Sequence, residues 1–69
     1  MIDKRNSGMR CRAKATLHSH SAMVQSGEQG TINYEVENLG RRMFLVEWDN
    51  GSSMFAFPDE IEIVRTPNR

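Results

Sequence analysis

Cysteine occurs once, at Cys11, proline twice and tryptophan once, and lysine plus arginine cancel aspartate plus glutamate to a formal net charge of zero. A single thiol cannot form an internal disulfide, which excludes a cystine-stapled secreted scaffold and fits a reducing compartment. No apolar run approaches the roughly 20 residues that a membrane-crossing helix needs. The polar start Met1-Ile2-Asp3-Lys4-Arg5-Asn6-Ser7 is unlike a leader peptide, so the expected location is the cytoplasm. Repeats, low-complexity tracts and a sustained helical period are also missing, so little helix is expected. At 69 residues the chain suits one domain with a modest core.

The charges that are present are unevenly placed. Between residues 1 and 27, Lys4, Arg5, Arg10, Arg12 and Lys14 face Asp3 alone, whereas residues 28–62 hold eight carboxylates against Arg41 and Arg42. In a sheet, such segments interleave, and a basic first strand is expected to pair with acidic neighbours.

The clearest local pattern runs from Met43 to Phe57, where two β-prone runs flank Asn50-Gly51. Asn-Gly favours a two-residue type I′ turn. That turn would set Val46 against Phe55 and Phe44 against Phe57, with Phe44, Val46, Trp48, Phe55 and Phe57 on the core side. Met43, Leu45, Met54 and Ala56 would then share the opposite face with Glu47. Upstream, Gly30 to Glu37 alternates, which predicts Ile32, Tyr34 and Val36 inward and Asn33, Glu35 and Glu37 outward. Asn38-Leu39-Gly40-Arg41 is a turn. A first strand is expected over Arg10–Leu17, with Cys11, Ala13, Ala15 and Leu17 as its less polar side, followed by a long loop to Gly30. Pro58-Asp59-Glu60-Ile61 suits one 3₁₀ turn, because proline presets φ, and a last strand would run from Glu62 to Arg65.

Gly27-x-x-Gly30-Thr31-Ile32, Val46-x-Trp48-Asp49-Asn50-Gly51 and Phe57-Pro58-Asp59-Glu60-Ile61, in a frame of five short strands, resemble the small SH3-like barrels. Similar barrels include the KOW-type modules of ribosomal and transcription proteins and accessory subunits of photosystem I and of the photosynthetic NADH-dehydrogenase-like complex. The resemblance implies an all-β fold, a small five-stranded SH3-like barrel with one 3₁₀ turn over residues 10–65. Residues 1–9 would be a flexible lead-in and 66–69 a tail. It also implies an accessory or docking role without chemistry. Peptide-binding SH3 domains are a poorer match: their first long loop is rich in tyrosine, and here it holds His18, His20 and Met23.

Catalytic and metal chemistries find little footing. His18-x-His20 lacks the further ligands of a zinc site, and two exposed loop histidines are the expectation. Cys11 sits among Arg10, Arg12 and Lys14, yet its alternation with Ala13 and Ala15 suggests a half-buried strand thiol. Asp59-Glu60-x-Glu62 lies in or beside a turn, where a solvated cluster is expected rather than an acid–base pair. Gly27 and Gly30 lack the strand-to-helix context and the Lys-Ser/Thr of a phosphate loop. The expected function is therefore a non-catalytic protein-interaction module without cofactor or metal, binding another protein or a second copy through Met43, Leu45, Met54 and Glu47. The alternative is an RNA-binding module gripping the phosphate backbone with Arg10, Arg12, Lys14, Arg41 and Arg42. The neutral balance and a pI near 6.7 speak against it.

Overall fold

A computed structural model describes residues 2–20 and 22–64; the expected strand end at Arg65 and the tail 66–69 lie outside them. The described chain is all-β, with strands β1 (Ile2–Asp3), β2 (Arg10–Ala13), β3 (Leu17–His18), β4 (Met23–Val24), β5 (Gln29–Asn38), β6 (Arg41–Trp48), β7 (Ser53–Ala56) and β8 (Ile61–Val64). The expected 3₁₀ turn is present at Pro58–Glu60, where the Glu60 carboxylate accepts from the Phe57 N–H at 2.8 Å. An antiparallel sheet runs in the order β7-β6-β5-β2-β8, and β3 pairs with β4 in a separate two-stranded hairpin. The long β5 is flanked by β6 on one side, and on the other by β2 at its start and β1 at its end. The lead-in thus carries a strand, and the expected first strand stops at Ala13, with Leu17 turned into the β3–β4 hairpin.

Two local features set the phase of the sheet differently from the sequence expectation. The first is the turn at Asn50-Gly51. Gly51 has φ +95° but Asn50 does not enter the positive region. The Gly51 N–H donates to Trp48 O at 3.0 Å and the Trp48 N–H to Ser52 O at 2.8 Å, so the loop contains three residues, Asp49-Asn50-Gly51. This is a type I turn followed by a glycine bulge. The Asn50 side chain holds it: Oδ1 accepts from the N–H and hydroxyl of Ser52, and Nδ2 donates to the Met23 carbonyl at 3.1 Å. The two-residue type I′ turn lies instead at Leu39-Gly40, where both φ values are positive, +54° and +78°.

The longer loop slips the β6–β7 register by one residue, to Phe44↔Ala56, Leu45↔Phe55, Val46↔Met54 and Glu47↔Ser53. Side chains alternate with period two, so this slip exchanges the faces of β7. Met54 and Ala56 enter the core, while Phe55 is 46% exposed and Phe57 half-buried. The second feature is a bulge in β5, where Ile32 faces Val46 and Tyr34 faces Leu45, leaving Asn33 unpaired with β6. Beyond it the alternation inverts. Tyr34 and Val36 point outward and Glu35 points in, contrary to the uninterrupted alternation expected.

Cys11, Ala13, Ile32, Phe44, Val46, Trp48, Met54, Ala56 and Ile61 make the core, and Leu17 and Val24 of the small hairpin close over it. At Gly30 the strands crowd: a Cβ there would lie 2.8 Å from Glu47 O and from Val46 Cγ1.

The register has a direct test in urea unfolding. Met54→Ala is expected to destabilise by about 2–4 kcal/mol, whereas Phe55→Ala costs less than about 1 kcal/mol. The reverse order would restore the two-residue turn. Leu39→Asn should raise stability by about 0.5–1 kcal/mol, since asparagine tolerates the left-handed conformation that leucine occupies at strain.

Candidate interaction surface

The outer face of the sheet divides into two ends. Toward the Leu39-Gly40 turn it is apolar. Tyr34, Leu45 and Phe55 form one cross-strand row, and Ile2, Val36 and Met43 form the next. All six are half-buried or exposed, with Ile2 and Phe55 the most open. Arg41 rims this end, its guanidinium 4.8 Å from the centre of the Phe57 ring. Beside it lies a depression of about 480 Å³ lined by Gly40, Arg41, Arg42, Phe57, Pro58 and Asp59. Leu39, at the turn, is 93% exposed.

Of the expected docking residues, Met43 and Leu45 lie on this face and Glu47 at its polar boundary. Met54 does not. It faces the core at 7% exposure, as does Ala56, because of the register slip. In exchange the slip and the bulge bring Phe55, Tyr34 and Val36 outward. The sequence carried one signal for this: an outward Glu35 pattern placed tyrosine inside a very small core, whereas the inverted phase gives the phenol access to water.

The opposite end of the face is polar and internally paired. Arg10 forms a two-toothed contact with Asp49, at 3.0 and 2.6 Å, and reaches Thr31 Oγ1 at 2.9 Å. Arg12 meets Glu62 at 2.7 Å. These hydrogen bonds hold the Asp49 and Glu62 carboxyls below their usual range, with Lys14 adding its field to Glu62. Because both values are lowered on folding, the pairs support the fold at neutral pH, and that support is lost as pH falls through the lowered values. Arg42 bonds Glu35, whose carboxylate is 3% exposed on the inner face, so this arginine neutralises a buried charge. Arg10, Arg12 and Arg42 are thus each matched with a carboxylate, and Arg41 lies over an aromatic ring.

Residues that could carry other chemistry are scattered. His18 and His20 are exposed at the β3–β4 hairpin, and among the described residues no group of three or more His, Cys, Asp or Glu side chains could hold a metal. Trp48 is buried and presents no ring to a ligand. Among the described residues no helix is long and apolar enough to cross a membrane. Comparison of the chain with protein-family models, with curated proteins and with solved structures finds no match in any of the three.

Cys11 is buried, and loss of hydration pushes its thiol up to about 11 despite the neighbouring Arg10. Iodoacetamide at pH 8 should therefore modify the folded protein at least about a hundredfold more slowly than the urea-unfolded chain. Equal rates in the two states would mean that the thiol is open to solvent.

Proposed function

We propose that this chain is a non-catalytic protein-interaction module, an accessory or regulatory subunit of the cytoplasm, which docks through the apolar end of its outer sheet face. The single observation that carries the reading is the contiguous set Tyr34, Val36, Met43, Leu45 and Phe55, supplied by three adjacent strands and left on the solvent side. Isolated exposed apolar residues are ordinary on soluble proteins. A continuous row-by-row patch rimmed by charge is the arrangement that interfaces use, with aromatic rings as anchors.

An SH3-like barrel accommodates this surface. Its support is the strand order, in which a β5-β6-β7 meander follows β2 and the last strand returns beside β2 after a 3₁₀ turn. A long excursion separates β2 from β5, and β5 carries a bulge between Ile32 and Tyr34. No catalytic step enters the proposal: on the outer face Arg10 and Arg12 are engaged in ion pairs with Asp49 and Glu62.

RNA binding is the weaker reading. Phosphate contact needs cations free to displace counterions, and Arg10, Arg12 and Arg42 have carboxylates of their own chain beside them.

Leu45→Asp and Tyr34→Asp should retain the native circular-dichroism spectrum and lose the partner recovered by wild-type protein in affinity purification, because a carboxylate in an apolar contact must be desolvated. Folded variants that recover the same partner at the same yield would remove the face from consideration. Gel shifts with mixed RNA at low salt should show no complex; salt-sensitive binding would reverse the ranking.

A further inference from the structure

The sheet has an edge that the described residues leave open. β7 lies at the end of the strand order and pairs only with β6 among the described residues. Antiparallel ladders alternate between residue pairs that exchange hydrogen bonds and pairs that do not. The Trp48 N–H to Ser52 O bond fixes that alternation, so the groups of Met54 and Ala56 point to β6. Those of Ser53 and Phe55 point away from the sheet. Phe57, next in the series, has its N–H and C=O taken by Glu60. The free edge is therefore four main-chain groups on two residues.

Natural edges are commonly guarded by lysine, proline, an inward charge or a bulge. None of these guards stands within residues 53–57, beyond the glycine bulge of the turn: they carry no charge and no proline, and the β6–β7 register is unbroken.

We propose that β7 pairs antiparallel with β7 of a second copy of this chain, about a two-fold axis at Met54. In that register Ser53 of each copy faces Phe55 of the other, and all four free groups on each strand find a partner. The spacing is self-complementary: two outward residues separated by one inward residue repeat themselves under a two-fold rotation. The two Phe55 rings become diagonal neighbours on the outer face, within reach of each other. The uncharged strand and the zero formal net charge impose no like-charge penalty on the approach. A single joint of this size is small, so the dimer is a weak one, with a dissociation constant on the order of 10–100 μM.

This inference goes beyond the docking face: the edge acts through main-chain groups and the face through side chains, so either can fail while the other stands. Sedimentation velocity of the full chain from about 5 to 500 μM should show a monomer–dimer equilibrium across that range of dissociation constants. Ser53→Pro, which removes one outward N–H without touching the β6 ladder, should leave a folded monomer throughout. An independent reading of the register comes from oxidative cross-linking, which needs Cα atoms about 4.4–6.8 Å apart, the spacing of directly opposed strand residues. Ser53→Cys mixed with Phe55→Cys should give a disulfide-linked heterodimer in yield at least about tenfold above either variant alone. A wild-type protein that stays monomeric at every concentration overturns the proposal, as does a dimer in which Phe55→Cys alone cross-links as well as the mixture. Neither result bears on the Leu45→Asp test of the face.

Discussion

The extra residue at Asn33 governs what the rest of the sheet can do. It sits directly after Ile32, whose main chain is anchored from the other side by Gly8 and Met9 at 2.7 and 2.8 Å. With Ile32 held and one residue inserted, everything after it in β5 changes face. The core therefore receives Glu35 where an unbroken strand would deliver Tyr34. A carboxylate at that depth needs a cation, and Arg42 on the neighbouring strand supplies it. The same inversion turns Tyr34 and Val36 outward, so the buried ion pair and the exposed apolar rows have one origin.

The Asn50 turn acts in the same sense on the other side of β6. Its three-residue loop turns Phe55 out and Met54 in, which aligns Phe55 with Leu45 and Tyr34 in one row. Gly30 completes the geometry by letting β5 approach Val46 and Trp48 more closely than any side chain would permit. Strand phase, rather than composition, is what gathers the aromatic and aliphatic residues on the outer face.

Much of this architecture is legible in the residues. Alternating β-prone runs identified the long strands, proline at position 58 located the 3₁₀ turn, and Phe44, Val46 and Trp48 were placed correctly in the core. Faces after irregularities were not legible. An Asn-Gly pair is compatible with two loop lengths, and the choice between them was made by tertiary contact, the Asn50 amide reaching Met23 in the small hairpin. Nothing local to Asn33 announces a bulge, because the anchors that impose it lie more than twenty residues upstream in Gly8 and Met9. The interleaving of basic and acidic strands, by contrast, followed from charge distribution alone, and the Arg10–Asp49 and Arg12–Glu62 pairs realise it.

The position of β2 between β5 and β8 gives assembly a direction. The β5-β6-β7 meander joins residues close in sequence, through two short turns, and its ladders close at small entropic cost. The β2–β8 ladder joins Cys11 to Ile63, across nearly the whole described chain. Its closure carries the largest loop entropy in the fold and completes the burial of Cys11, Ala13 and Ile61 together. With so long a loop to close, the ladder that sets β2 beside β8 is expected to form after the local meander rather than before it.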